Sequence, residues 1–262
     1  MQRISFHVNS DKPEACAVRA RLAAFAQTIG LKVLDDAHAG ECDAVIVLGG
    51  DGTMLSAVHR FPGIPLLGLN LGSLGYLAGV EAPHFEDALR ALRDDAFTLS
   101  RRTALTVQGR VALNDVVFSR GNSGQAAVIE LSVNGCAATR FFADGLVIAT
   151  PTGSTAYSLA AGGPILLPDS RSVVVTPVCP HALSSRPFVV RDDSSLAVRL
   201  VARPGAETLD IFADGESVAQ VQDGKEVVVE KAPVTVPLVE LPGADPFEVL
   251  SRKLGWAGSS IR

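Results

Sequence analysis

The stretch Asp43–Leu55, with the sequence DAVIVLGGDGTML, places one carboxylate among three glycines directly after an apolar run. The run Ala44–Leu48 is short and rich in β-branched residues, which predicts a strand buried on both faces. We therefore expect Asp51 at the carboxyl end of a buried strand, the edge of an open α/β sheet at which ligands bind. Gly49 and Gly50 leave room for a ligand to approach the backbone closely, and Gly52 allows a positive φ that most residues resist.

A helix is expected just after this glycine loop, since Met54, Leu55 and Val58 have helical spacing. A strand, a glycine loop with one carboxylate and a helix form a unit that can bind phosphate, because a helix N-terminus presents free N–H groups to an anion. The alternative is that GGDG is only a tight turn. This stretch alone leaves both interpretations open.

A second glycine-rich stretch, Asp144–Pro164, reads DGLVIATPTGSTAYSLAAGGP. Its residues Gly153, Ser154 and Thr155 supply small side chains, hydroxyls and backbone N–H groups before a short helical segment, which suits a polar or anionic ligand. The alternative is that Ser154 or Thr155 only caps that helix.

Composition indicates a well-folded protein, because 47% of the 262 residues are hydrophobic and 19% are charged. The net charge of −5 gives no electrostatic reason to expect nucleic acid or an anionic membrane as a partner. No apolar run approaches the roughly 18 residues of a membrane span, and the start of the chain does not resemble a signal peptide. We expect a cytoplasmic protein.

The chain lacks several common catalytic and metal-binding motifs. Its four cysteines, Cys16, Cys42, Cys136 and Cys179, are far apart in sequence, which predicts reduced structural thiols and no metal site. The motifs GxxxxGK[ST], GxGxxG, GxSxG and HExxH are absent. If this protein transfers phosphate, it does so without a P-loop lysine.

The first part of the chain alternates between predicted strands and helices up to about residue 97. Strands are expected at Arg3–Val8, Leu31–Leu34 and Ile64–Leu69, in addition to the one before Asp51. Apolar faces predict one helix after the turn-forming cluster at 9–13 and another that contains Phe85, Ala88, Leu89 and Leu92. This alternation predicts a Rossmann-like α/β domain over residues 1–99.

The second part of the chain is rich in short β segments, which predicts a β-sandwich-like domain over residues 100–240. Val111–Phe118 reads as one strand, and Asn134-Gly135 predicts a hairpin turn between two of the other runs, which include Val128–Val133 and Gly145–Ala149. Residues 241–262 are expected to form a helical tail that packs on the first domain, with Asp245 as N-cap and Pro246 at the first helical position.

Seven segments, in this order, resemble motifs of the NAD kinase family. They are GGDGTML (Gly49–Leu55), NLGSLGYL (Asn70–Leu77), LND (Leu113–Asp115), the stretch Asp144–Ile165, PVCPHALSSRPFVV (Pro177–Val190), ADGE (Ala213–Glu216) and KLGW (Lys253–Trp256). GGDGT is shared with diacylglycerol, sphingosine and phosphofructokinase-type kinases. The stretch TPTGSTAYSLAAGGP is much more specific to this family.

The resemblance implies phosphorylation of the adenosine 2′-hydroxyl of NAD to give NADP. ATP would be the donor, with polyphosphate as an alternative in some family members, and a divalent cation, Mg²⁺, would be the cofactor. Asp51 would be the general base, because an ionised carboxylate accepts hydrogen bonds and can orient the hydroxyl for attack. The implied partners are NAD and ATP, without nucleic acid or membrane, in a homodimer or homotetramer.

The resemblance also assigns binding residues, and it assigns none of them to a metal. NAD binding falls on Asp51, Gly52, Asn114, Asp115, Asp144, Thr155, Ala156, Tyr157 and Ser158, and the phosphate-donor loop on Gly49, Gly50, Gly52 and Thr53. Asp115 stands where the family has Glu, one methylene longer. Glu216 stands where some members have Gln, and His181 lies in a matching motif without an assigned catalytic role.

Two other functions are compatible with parts of the sequence. A lipid or sugar kinase would share only GGDGT and would not use NAD, and the long second glycine motif argues against it. A dinucleotide sensor would bind NAD without turnover. The presence of Asp51 argues against a sensor, because binding alone does not require a base there.

Overall fold

A computed structural model of the 262-residue chain describes residues 1–9, 13–72, 75–121, 124–201 and 208–256. The strands are β1 (Arg3–Val8), β2 (Lys32–Val33), β3 (Ala44–Leu48), β4 (Leu66–Asn70), β5 (Val80–Glu81), β6 (Thr98–Arg102), β7 (Leu105–Val107), β8 (Arg110–Ala112), β9 (Asp115–Ser119), β10 (Ala127–Val133), β11 (Cys136–Ala143), β12 (Gly145–Ala149), β13 (Ser172–Val178), β14 (Phe188–Arg191), β15 (Leu196–Val201), β16 (Thr208–Ala213), β17 (Glu216–Gln222), β18 (Glu226–Lys231) and β19 (Val236–Glu240). The helices are α1 (Pro13–Thr28), α2 (Asp51–Arg60), α3 (Phe85–Arg93), α4 (Tyr157–Ala160) and α5 (Pro246–Leu254).

The chain divides into two compact units, Met1–Arg101 with Val236–Arg262, and Arg102–Thr235. The boundaries predicted from sequence lie after residues 99 and 240. The main difference is β19, which the prediction places in the second domain and which pairs in parallel with β4 of the first unit.

The first unit contains a seven-stranded sheet in the order β2-β1-β3-β4-β19-β6, with β5 also paired to β4. Strands β1, β2, β3, β4 and β5 pair in parallel. Leu22 of α1 and Phe85 of α3 pack in one core with Ile46 and Leu48 of β3. The predicted α/β fold is confirmed, although Ser10 and Asp11 of the predicted helix start lie outside the described residues.

The loop before α2 differs from the sequence prediction at two points. The helix begins at Asp51 itself, because Gly50 is its N-cap with an extended backbone (φ −99°, ψ −167°). Gly52 lies inside the first helical turn, and its φ is not positive. The positive φ that Gly52 would allow is therefore not used, and the carboxylate lies at a helix N-terminus.

The second unit is built from two six-stranded antiparallel sheets. Their strand orders are β11-β10-β15-β18-β7-β8 and β14-β13-β12-β9-β16-β17. One core contains residues from both sheets, for example Ile129 and Leu200 from the first and Phe118 and Ile148 from the second. The predicted sandwich is confirmed.

One predicted strand of this unit is in fact two. Val111–Phe118 is divided between β8 and β9, which belong to different sheets. The chain crosses from one sheet to the other at Leu113 and Asn114, where no ladder satisfies the backbone. Asn114 and Asp115 are the only polar residues between Val111 and Phe118, and they mark the crossing within an otherwise apolar run.

Two turn predictions are confirmed by the backbone. Asn134 and Gly135 join β10 to β11 with φ values of 51° and 78°, as a hairpin turn with two left-handed residues requires. At the start of α5, the Asp245 side chain accepts a hydrogen bond of 2.8 Å from the N–H of Phe247. Pro246 follows it at the first helical position.

The cysteines form no disulfide. All four are reduced thiols, but only Cys42 is buried, while Cys16, Cys136 and Cys179 are exposed. The prediction of structural thiols therefore holds for Cys42 alone. Among the described residues, none of the helices has the length and hydrophobicity that a membrane crossing requires.

Candidate active site

The carboxylate of Asp51 is held by the backbone of a neighbouring loop. Its Oδ2 accepts a hydrogen bond from the N–H of Tyr76 (2.9 Å), and its Oδ1 accepts from Leu77 (2.9 Å) and Ala78 (3.3 Å). The burial of Tyr76 and the nearby negative charge of Asp51 raise the pKa of the Tyr76 hydroxyl. Asp51 thus has a fixed position between the end of β3 and the loop that follows β4.

Two glycines make this arrangement possible. A Cβ on Gly75 would lie 2.2 Å from Oδ1 of Asp51, so only glycine leaves room for the carboxylate. A Cβ on Gly68 of β4 would lie 2.7 Å from the Cα of Ala78, so the same loop packs directly on the strand. The loop and the carboxylate therefore position each other.

The glycines of the GGDG loop have different roles. A Cβ on Gly49 would lie 2.2 Å from Oγ1 of Thr53, so this glycine is needed for packing within the loop. A Cβ on Gly50 or Gly52 would meet nothing within 4 Å. The backbone beside Asp51 is therefore open to a ligand.

In the second unit, a carboxylate holds the crossing between β8 and β9. The side chain of Asp214 accepts hydrogen bonds from the N–H groups of Leu113 (2.7 Å), Asn114 (2.7 Å) and Asp115 (3.2 Å). These bonds satisfy the backbone where the chain leaves one sheet for the other. Asn114 and Asp115 are thereby fixed at the start of β9.

The second glycine-rich stretch is joined to the same segment. Thr150 donates its hydroxyl to the carbonyl of Leu113, and its N–H donates to the carbonyl of Asn114 at 2.9 Å. A Cβ on Gly153 would lie 2.0 Å from that carbonyl oxygen of Asn114. The LND and TPTGS segments are therefore hydrogen-bonded to each other and packed in direct contact.

The Asp115 side chain is buried, with 6% of the residue exposed. Burial, together with the negative charge of Asp214, raises the pKa of the Asp115 carboxyl group to about 7. Near neutral pH this group is therefore close to half protonated. It can donate a hydrogen bond when neutral and only accept when ionised.

We expect Asp115→Asn to stabilise the protein at pH 8 more than at pH 5. In the folded protein the pKa of Asp115 is about 7, against 3.8 for an ordinary aspartate, so folding favours the protonated form. The stability that this preference contributes is fully present below about pH 4 and is lost as the pH rises through 7. The gain at pH 8 is on the order of 4 kcal/mol at most.

Thermal unfolding of both proteins across this pH range measures the effect, with pH 5 as the internal reference. An equal change in Tm at pH 5 and pH 8 would contradict the assignment of a raised pKa to Asp115.

Two residues predicted to contact NAD, Tyr157 and Ser158, lie at the start of α4, and they differ in exposure. Tyr157 is 45% exposed, whereas Ser158 is fully buried and its hydroxyl lies 2.8 Å from that of Thr176. A Cβ on Gly163 would lie 2.2 Å from Oγ of Ser158, so this pair is tightly enclosed.

Helix capping does not explain the hydroxyls of this stretch. The N-cap of α4 is Ala156, not Ser154 or Thr155. Ser154 donates to the carbonyl of Pro151 (2.7 Å) and accepts from the N–H of Leu166 (2.9 Å). The capping alternative is therefore wrong, and Ser154 ties the two halves of the glycine-rich stretch together.

Three other positions singled out in the sequence lie at the surface of the second unit. Asp144 pairs with Arg120 (2.8 Å), and Glu216 pairs with Arg110 (2.8 Å). The exposed His181 donates its backbone N–H to the carbonyl of Phe142 and packs its ring on that residue. These contacts explain a histidine at this position without a catalytic role.

Sequence reasoning missed Gly75, Asp214 and Thr150. Each lies inside a motif that the sequence displays, but its partner is distant in the chain. Among the described residues, no group of three His, Cys, Asp or Glu side chains could hold a metal ion.

Comparison with known proteins identifies the family. The model of the ATP-NAD kinase N-terminal domain matches residues 26–97, and that of the C-terminal domain matches residues 113–241. The chain is 37% identical to the NAD kinase of Symbiobacterium thermophilum, over 97% of this chain and 99% of that protein. It is 41% identical to the NAD kinase of Gemmatimonas aurantiaca, over 84% of this chain and 80% of that protein.

Two solved structures share the fold. The yeast NADH kinase complexed with NADH has a TM-score of 0.87 and 24% identity, covering 100% of this chain and 89% of that one. An NAD kinase from Archaeoglobus fulgidus in complex with ATP has a TM-score of 0.82 and 23% identity, covering 97% and 99%. The domain matches and the relatives together show that this chain belongs to the NAD kinase family, the phosphotransferases that convert NAD to NADP.

Proposed function

We propose that this enzyme transfers the γ-phosphoryl group of ATP to the adenosine 2′-hydroxyl of NAD, with Asp51 as the general base. The observation that carries the proposal is the fixed carboxylate of Asp51 at the end of β3. ATP is the donor named in the descriptions of both matching domains, and the Archaeoglobus relative is a complex with ATP.

The geometry of Asp51 suits a base that also orients its substrate. A carboxylate offers about four lone-pair positions, and three backbone N–H groups occupy Asp51. The remaining position can accept the proton of the substrate hydroxyl. As the 2′-oxygen bonds to the γ-phosphorus, its proton moves to Asp51, and the bond from the γ-phosphorus to the bridging oxygen breaks to release ADP.

The donor loop is proposed at Gly49, Gly50, Gly52 and Thr53. The absence of neighbours around a Cβ on Gly50 or Gly52 supports a close approach of phosphate oxygens to this backbone. Most of the rate enhancement in phosphoryl transfer comes from positioning and charge stabilisation.

We propose Mg²⁺ as the divalent cation, carried by the phosphates of the donor. This fits the described residues, in which no three-residue cluster of His, Cys, Asp or Glu could hold a metal. Mg²⁺ commonly binds through substrate phosphates, waters and one or two carboxylates rather than a protein cage. When bound, the cation would neutralise the charge that develops on the transferring group.

We propose NAD contacts in the second unit at Asn114, Asp115, Asp144 and the Thr155–Tyr157 segment. The fixed backbone of Asn114 and Asp115 and the exposure of Tyr157 support these assignments. For Ser158 we propose an indirect role, because its hydroxyl is enclosed with that of Thr176.

The family resemblance supports two further proposals, a homodimer or homotetramer and a cytoplasmic location. Size-exclusion chromatography with light scattering measures the first directly.

The activity test is incubation with NAD, ATP and Mg²⁺, followed by a dehydrogenase that responds only to NADP. We expect NADP and ADP in equal amounts, and we expect EDTA to abolish both. A parallel incubation with polyphosphate in place of ATP tests the alternative donor. Formation of a phosphorylated NAD that the NADP-specific enzyme rejects would contradict the 2′ position, and the absence of product with either donor would contradict the whole proposal.

A further inference from the structure

The turn between β16 and β17 carries a carboxylate that binds the backbone of a segment about 100 residues earlier in the chain. Asp214 lies in this turn, and its side chain accepts the N–H groups of Leu113, Asn114 and Asp115 at 2.7, 2.7 and 3.2 Å. Its own N–H donates to the carbonyl of Asp115 at 3.0 Å. Four hydrogen bonds therefore join one residue to the crossing between the two sheets.

The backbone of the turn is shaped for this contact. Asp214 has a φ of 49° and Gly215 has a φ of 84°, so both are left-handed. Aspartate and asparagine tolerate this conformation better than most other residues with a side chain. Leu113 and Asn114 lie between β8 and β9, where their N–H groups have no ladder partner, and a buried N–H without a partner is costly.

We propose that Asp214 is a positioning residue of the dinucleotide site, which holds Asn114 and Asp115 in the orientation that NAD requires. The inference rests on the proposed function, in which those two residues contact NAD. Asp214 acts through them rather than by touching the substrate.

A purely structural cap would not affect ionisation in the site, whereas Asp214 does. Its charge adds to burial in raising the pKa of Asp115 to about 7. Thr150 and Gly153, which contact the same segment, carry no charge. An ionised Asp115 accepts hydrogen bonds from ribose hydroxyls, so KM for NAD should fall as the pH rises through about 7.

The experiment compares Asp214→Asn and Asp214→Ala with a matched control. Asp43 is suitable because its carboxylate also accepts two backbone N–H groups, from Gln2 and Arg3, in the first unit just before β3. KM for NAD, KM for ATP, kcat and Tm are measured for each variant. KM for NAD is also measured between about pH 5.5 and about pH 8.5, at intervals of about half a pH unit.

We expect Asp214→Asn to raise KM for NAD by about tenfold with little change in KM for ATP. The amide keeps one acceptor oxygen and the left-handed backbone, so the variant remains folded. Without the charge of Asp214, the pH midpoint of KM for NAD should fall, because only burial would then raise the pKa of Asp115. Asp214→Ala should show a larger rise in KM, and Asp43→Asn should change Tm alone.

If both Asp214 variants change only Tm, with KM for NAD and its pH midpoint unaltered, the inference is overturned. Asn114→Ala separates this failure from failure of the proposed site. A raised KM in Asn114→Ala with unaltered Asp214 variants overturns only the positioning role. An unaltered KM in Asn114→Ala overturns the proposed NAD contacts, and the positioning role with them.

Discussion

Asp51→Asn is expected to lower kcat by about 10²–10⁴-fold, the range typical of a lost general base. The amide cannot take a proton from the 2′-hydroxyl at neutral pH. It also turns an NH₂ group toward one of the backbone N–H donors of Tyr76, Leu77 and Ala78. We expect that mismatch to cost about 1–3 kcal/mol of stability, with NAD affinity largely retained.

The measurement is NADP formation in single turnover, together with NAD binding and thermal unfolding. Asp43→Asn is again the control, since Asp43 precedes the same strand, β3, whose other end leads to Asp51. It should lower Tm without lowering the rate of NADP formation. Turnover near that of the wild type in Asp51→Asn would exclude Asp51 as the base.

Sequence patterns predicted those parts of the fold that depend on neighbouring residues. The apolar run Ala44–Leu48 became β3, the Asn134-Gly135 turn joined β10 to β11, and Asp245 capped α5. In each case the stabilising contact lies within a few residues of the pattern that indicates it. The position of Asp51 at the strand end follows from the same local logic.

The elements that were missed lack such local patterns. β11 has the sequence CAATRFFA, and its first five residues are exposed, so no apolar alternation marks it. β19 enters the first sheet beside β4 after the whole second unit has intervened. Pairing over such a separation is a property of the assembled sheet rather than of either segment.

The same distinction applies to the active site. The motifs identified Asp51, Asn114 and Asp115, but not what holds them. Asp51 is bound by residues 25 to 27 positions away, and Asp214 binds a segment about 100 positions away. A single sequence gives the chemical groups of the site, whereas their orientation depends on contacts that only the folded chain displays.

Gly75→Ala is expected to lower kcat by about 10²-fold and to cost about 1–3 kcal/mol of stability, because Asp51 loses its hydrogen bonds to the loop. The added methyl group would lie 2.2 Å from Oδ1 of Asp51, so one of the two must move. The end of a side chain moves more easily than backbone, and therefore the carboxylate is displaced. The displacement breaks its hydrogen bonds to the loop and moves the base away from the substrate hydroxyl.

Gly79→Ala is the matched control in the same loop. A Cβ there meets nothing within 4 Å, and the residue has no positive φ, so this variant should behave as the wild type. Equal effects of the two substitutions on kcat would show that loop stiffness, not the position of Asp51, matters.

A double-mutant cycle decides whether Gly75 acts through Asp51. If the glycine serves only to seat the carboxylate, Gly75→Ala should have almost no further effect on kcat in the Asp51→Asn background, because the base is already lost. The two effects would then be strongly non-additive. Multiplicative losses in the double variant would contradict this mechanism and indicate an independent contribution of the loop to catalysis. Since both residues belong to the first unit, the cycle tests the base and its support without involving the NAD contacts proposed in the second unit.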